Sequence, residues 1–123
     1  MTDGTGRRVL VVEDEAMIVM LLEDMLTMIG YEVARVAYSL EDALKAAEGE
    51  QVDVAILDIN LKGEASFPVA GILRTRGIPY FFATGYGTTG GGEDFRDVLV
   101  LKKPFDVDEL AEALSNTLNR PNP

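Results

Sequence analysis

The chain has 123 residues, enough for one domain with a single core and too few for two. With 47% hydrophobic and 26% charged residues, and no apolar run near the ~20 residues of a membrane span, it reads as a soluble cytoplasmic protein. The absence of cysteine and histidine removes thiolate, disulfide and imidazole chemistry and leaves carboxylates, hydroxyls and lysines, while a net charge of −10 argues against binding to nucleic acid.

Arg7-Arg8 precede the apolar run Val9 to Val12, which meets Glu13 and Asp14 at once, so it is too short for a signal-peptide core and reads as a strand. Glu15 to Ile29 is a predicted helix, with Met17, Ile18, Leu21, Leu22, Met25, Leu26 and Ile29 at helical spacing and Gly30 as its stop. Its methionines suit core or partner-facing packing. Val33 to Ala37 is a second strand. Ser39 caps a second helix whose stripe is Leu40, Ala43, Leu44 and Ala47, ending at Gly49. Val54 to Leu57 is a third strand, and a third helix begins near Ser66 with Pro68 in its first turn and stops at Gly77. Tyr80 to Ala83 and Val98 to Leu101 are further strands, and Asp106 opens a last helix with Val107, Leu110, Ala113, Leu114 and Leu118 inward. Continuous apolar strands alternating with helices predict an α/β fold, a doubly wound sheet of five parallel strands. The whole of residues 1–123 forms a single domain in this reading, with flexible tails at about 1–6 and 120–123 and no output domain.

In such a sheet, ligands sit beyond the carboxyl ends of the strands. The first strand ends in Glu13-Asp14, the third in Asp58, the fourth in Thr84 and the fifth in Lys102-Lys103-Pro104. With strand order 2-1-3-4-5, neighbouring strands at about 4.8 Å bring these ends to one pocket, whereas Asp53, at the start of the third strand, lies at the opposite edge. Three carboxylates without histidine suit Mg²⁺. Two can hold the ion while the third receives a phosphoryl group as nucleophile, with a threonine hydroxyl and a lysine ammonium to meet the phosphoryl oxygens. Singly, each residue has a plain structural use in a loop or turn; together at one edge they describe phosphoryl transfer.

At these residues, VLVVEDE, ILDINLKG, FATGY and LKKPF, the sequence resembles the receiver domain of two-component response regulators, with a flavodoxin-like sheet, over essentially the whole chain. The resemblance implies that Asp58 is the phosphoacceptor, that Glu13, Asp14, Asp58 and the backbone carbonyl of Asn60 hold Mg²⁺, and that Thr84 and Lys103 bind and read the phosphate. It implies a phosphoryl donor partner, a histidine kinase or histidine phosphotransfer protein, and signalling by protein–protein contact with a downstream target, rather than enzymatic turnover of a substrate. Pro79 to Tyr86, PYFFATGY, is similar to the PFxFATGY signature of single-domain receivers associated with stress and cell-cycle signalling.

The chain departs from that family where an aromatic switch residue is usual, three positions before the lysine, and carries Val100; Tyr86 is the candidate replacement. Gly85, Gly87, Gly90, Gly91 and Gly92 stand where receivers have a fourth helix, and at roughly 1 kcal/mol per glycine that helix is expected to be short or missing, reduced to one turn near Glu93 to Asp97. A loop of this kind would be ordered by phosphorylation or by a partner. The same glycines spell GxGxxG with Asp106 about twenty residues on, but two more glycines follow and the carboxylates would repel a pyrophosphate, which weighs against a dinucleotide site. The rival functions are a phosphorylation-independent pseudo-receiver and an aspartyl-nucleophile phosphatase. The second usually needs an aspartate two residues after the nucleophile, where this chain has Asn60.

Overall fold

In the computed structural model, residues 6–85 and 98–119 are described. The elements in order are β1 (Arg8–Val12), α1 (Ala16–Met28), β2 (Glu32–Ala37), α2 (Leu40–Gly49), β3 (Val54–Asp58), β4 (Asn60–Leu61), β5 (Glu64–Ala65), α3 (Phe67–Arg76), β6 (Tyr80–Thr84), β7 (Val100–Lys102) and α4 (Val107–Leu118). Five strands form one sheet in the order β2-β1-β3-β6-β7, and every neighbouring pair in it is parallel. This is the predicted 2-1-3-4-5 arrangement.

Alternation along the strands divides the core. Leu10, Val12, Ala55, Leu57, Tyr80 and Phe82 face α2 and α3, where they pack with Ala43, Ala47, Val69 and Leu73. Val9, Val11, Val54, Ile56, Phe81 and Ala83 face the other way, against Leu22, Leu26, Leu110 and Leu114 of α1 and α4. With both faces covered, β1, β3 and β6 need apolar residues at nearly every position, which is why they read as continuous runs. The outer strands β2 and β7 are covered less fully, and β2 accordingly alternates as Glu-Val-Ala-Arg-Val-Ala.

The helix ends follow local chemistry. Ser39 Oγ accepts from the Asp42 N–H at the start of α2, Asp106 and Glu109 form a reciprocal capping box on α4, and Gly77 closes α3 in a left-handed conformation. On α1, Met17, Met20, Leu21 and Met28 are exposed and only Met25 among its methionines is buried. No helix among the described residues is long and apolar enough to cross a membrane.

The segment after Asp58 contains a short hairpin. Asn60–Leu61 and Glu64–Ala65 pair antiparallel as a two-residue hairpin, with Lys62 at φ 51° and Gly63 at φ 87°. Tyr86, the glycines from 87 to 92, the expected turn at 93–97 and most of the proposed tails lie outside the described residues, so the readings placed on them are not addressed by this fold.

Candidate functional site

Register places the charged residues at one edge. Val12 at the end of β1 pairs with Leu57, Asp58 pairs with Ala83, and Thr84 pairs with Lys102, so Glu13, Asp14, Asp58, Thr84 and Lys103 all follow the carboxyl ends of adjacent strands. Backbone bonds extend the strands just far enough to fix them: Glu13 N–H donates to the Ala37 carbonyl and Lys103 N–H to the Thr84 carbonyl. Asp53 is at the other end of the sheet, as the strand length predicts, where its carboxylate accepts the Arg8 N–H at 2.7 Å.

Glu13, Asp14 and Asp58 each contribute a carboxylate oxygen to a set lying within 4.8 Å of one another. Each also accepts one backbone N–H: Glu13 from Glu15 at 3.2 Å, Asp58 from Asn60 at 3.2 Å and Asp14 from Lys62 at 2.8 Å. The Lys103 ammonium enters this cluster, 2.6 Å from Glu13 Oε1 and 3.4 Å from Asp58 Oδ2. The stronger contact is therefore with Glu13. Asp58 is also held through its own backbone, whose carbonyl accepts the buried Ser66 hydroxyl at 2.6 Å. Thr84 is buried at the end of β6. Val100 is exposed on β7.

Burial pushes the Glu13 carboxyl up to about 7, because its 2% exposure deprives the charged form of water. The hydrogen bond and charge of Lys103 oppose that rise, and the charge of Asp58 adds to it. Burial works against the Lys103 charge, but its hydrogen bond to Glu13 and the two carboxylate charges outweigh this and hold the ammonium above its ordinary range. An all-oxygen, anionic donor set in which every carboxylate is already oriented by a backbone N–H fits a hard, strongly hydrated cation such as Mg²⁺.

A cavity of about 430 Å³ opens over the cluster, lined by Asp14, Asp58, Asn60, Lys62, Gly85 and Lys103 among others. Gly85 and Lys103 are shared with an apolar groove of about 370 Å³ that runs along Ile18, Leu21, Leu22 and Met25 of α1 to Pro104 and Phe105. Sequence reasoning brought the carboxylates, threonine and lysine to this edge but missed Ser66 and Lys62. The first was legible only as a helix cap, and the second only from the glycine that follows it.

The model of the response regulator receiver domain matches residues 9–115. SdrG from Sphingomonas melonis Fr1 is 41% identical, with a TM-score of 0.77 over 94% of this chain and 99% of that one. The PhyR response regulator REC domain of Erythrobacter litoralis is 26% identical, with a TM-score of 0.80 over 96% of this chain and 94% of that one. The transcriptional regulatory protein PdtaR of Mycobacterium tuberculosis is 31% identical over 118 residues, which cover 93% of this chain and 58% of PdtaR. The chain spans about half the length of the curated relatives it matches.

Proposed function

The chain belongs to the response regulator receiver family, and on that premise we propose that it is a phosphoacceptor, taking a phosphoryl group on Asp58 from a histidine kinase or histidine phosphotransfer protein. The observation that carries this reading is the insertion of the Lys103 ammonium between Glu13 and Asp58, in a cluster whose carboxylate oxygens lie within 4.8 Å of one another. Such an arrangement supplies a nucleophile and cationic compensation in one place.

An Asp58 carboxylate oxygen attacks the donor's phosphorus. The new O–P bond forms as the donor's N–P bond breaks, and the departing imidazole keeps the electron pair and takes a proton from solvent. Glu13, Asp14, Asp58 and the Asn60 backbone carbonyl would hold Mg²⁺, which when bound offsets charge on the phosphoryl oxygens. The Lys103 ammonium neutralises another phosphoryl oxygen, and the Thr84 hydroxyl donates to a third. Backbone N–H bonds from Asn60 and Glu15 keep the Asp58 and Glu13 carboxylates aimed before the donor arrives. The exposed apolar groove beside α1 shares Gly85 and Lys103 with the acidic cavity, so a protein donor reaching Asp58 would rest on it.

On this reading the protein signals in the cytoplasm rather than catalyses, and acts by contact with a target protein. The PYFFATGY stretch, ending at Tyr86, supports assignment to the single-domain PFxFATGY subgroup and a role in stress or cell-cycle signalling. Val100 supports a switch that does not use the usual aromatic ring, since β7 offers no ring there to turn inward.

Intact-protein mass after incubation with acetyl phosphate and Mg²⁺ tests the reading. One phosphoryl adduct on the wild type, absent from Asp58→Asn and absent with chelator, is the expected result. An adduct that survives in Asp58→Asn overturns the assignment. No adduct from acetyl phosphate or from purified histidine kinases would favour a pseudo-receiver.

A further inference from the structure

The β4–β5 hairpin is where the backbone departs from what its sequence prefers. Lys62 is the single non-glycine residue with positive φ among the described residues, a conformation that costs a side chain with a Cβ about 1 kcal/mol or more. Positive φ at both central residues is the geometry of a tight two-residue hairpin turn, which normally selects Asn, Asp or Gly at the first of them. The N–H groups of such a turn lie outside the strand ladder and need other acceptors. The Gly63 N–H finds Asn60 Oδ1 at 2.7 Å, and the Lys62 N–H finds Asp14 Oδ2 at 2.8 Å across 48 residues of chain.

Two of the three clustered carboxylates are therefore held by this one hairpin. Asp14 is bonded to its turn, and Asp58 to the N–H of Asn60, its first residue. Glu13 is oriented instead by the start of α1, through the N–H of its N-cap residue Glu15. The Lys62 N–H occupies a lone pair of Asp14 Oδ2, so the carboxylate cannot turn both oxygens equally towards the cluster.

We infer that the Lys62-Gly63 turn is a positioning device for the metal site, a bracket that fixes Asp14 so that it offers a single oxygen to the ion. The inference rests on the proposal that Asp14 is a metal ligand. A carboxylate fixed to one-oxygen contact suits the small octahedral shell of Mg²⁺ and disfavours the two-oxygen contacts common with Ca²⁺. The strained Lys62 backbone persists because the bond to Asp14 and the hairpin together over-determine it.

The test is calorimetric titration of Gly63→Val, Gly63→Asn and Asp14→Ala with Mg²⁺ and with Ca²⁺, beside the wild type. Gly63 has open space around its missing Cβ, so these substitutions act through φ rather than through a clash. Valine resists positive φ, whereas asparagine tolerates it. Gly63→Val should lose about tenfold in Mg²⁺ affinity, the lower end for removal of a group that orients a metal ligand, and less for Ca²⁺. Gly63→Asn should bind both ions like the wild type. A folded Gly63→Val with unchanged Mg²⁺ affinity, or a Gly63→Asn as weak as Gly63→Val, overturns the bracket. An Asp14→Ala protein with wild-type Mg²⁺ affinity would instead overturn the ligand assignment beneath it. Should Gly63→Val fail to fold, amide exchange at Lys62 decides: protection in the wild type that disappears in Asp14→Ala supports the bond, and an amide equally exposed in both refutes it.

Discussion

Glu13 makes the metal-free protein's stability depend on pH in an unusual direction. Its carboxyl is pushed from 4.5 to about 7, first by burial, so the folded state binds its proton more tightly than the unfolded chain does. A group of this kind contributes most below its unfolded value, and that contribution is lost as pH rises through the folded value. The full difference of roughly 2.5 units is worth about 3 kcal/mol, and linkage places about 2 kcal/mol of it between pH 5.5 and 8. Glu13 is only 2% exposed, so solvent screening takes little from this figure. Lys103, raised from an ordinary value of 10.5, keeps its charge throughout the window and does not blur the result. Urea denaturation of dilute protein in chelator should therefore show stability falling by about 2 kcal/mol from pH 5.5 to 8. In Glu13→Gln the slope should vanish, and saturating Mg²⁺ should flatten it in the wild type, because a cation in the cluster favours the ionised carboxylate. A Glu13→Gln protein with the wild-type slope would refute the reasoning, since the titration would then belong to other groups.

Lys103→Met removes the ammonium that shields Glu13 from Asp58. Calorimetry should show Mg²⁺ binding tightened several-fold, because the ion no longer displaces a competing cation, and weakened binding would mean that Lys103 assists the site rather than competes for it. Ser66→Ala deletes a hydroxyl that is fully buried and donates to the Asp58 carbonyl, at an expected cost of about 1–3 kcal/mol in denaturant unfolding; an unchanged midpoint would show the bond to be dispensable. Phe81→Ala, in the layer between the sheet and α1 and α4, should cost about 3–5 kcal/mol by the same assay, and a loss below about 1 kcal/mol would place that ring outside the packed core.

The sheet was legible because its signal is redundant. Val9 to Val12, Val54 to Leu57 and Tyr80 to Ala83 are buried on both faces, so almost every position reports the same environment. The positions of Glu13, Asp14, Asp58, Thr84 and Lys103 followed from that, since side chains at the ends of parallel neighbours share an edge whatever their contacts. Boundaries drifted where burial was partial: the last strand read as Val98 to Leu101 is Val100–Lys102, an edge strand with exposed ends. The hydrophobic spacing of α1 predicted an inward stripe, but Met17 and Leu21 lie outside it, because apolar period alone does not distinguish a face covered by the sheet from one left to solvent.

The contacts that set the chemistry were not legible, and for a different reason. Whether Lys103 prefers Glu13 or Asp58 depends on a difference between 2.6 and 3.4 Å, fixed by residues 90 and 45 positions away. The hairpin depends on Lys62 accepting a backbone conformation that its own chemistry disfavours, so local propensity points away from it. In both cases the site holds a residue against its intrinsic preference: a lysine drawn into a buried carboxylate cluster, and another held at positive φ. Local sequence rules fail where tertiary contacts override them, and here those contacts gather around the three carboxylates. The β4–β5 hairpin and Lys103 therefore act on the same charges from opposite sides. The hairpin fixes Asp14 and Asp58 through backbone N–H groups that remain whatever the pH, while Lys103 balances Glu13 and Asp58 with a charge that a metal ion can replace. On the proposed reading, a cluster whose donors are held by backbone N–H groups and whose cation is exchangeable would accept an ion or a phosphoryl group without rebuilding the sheet edge that carries it.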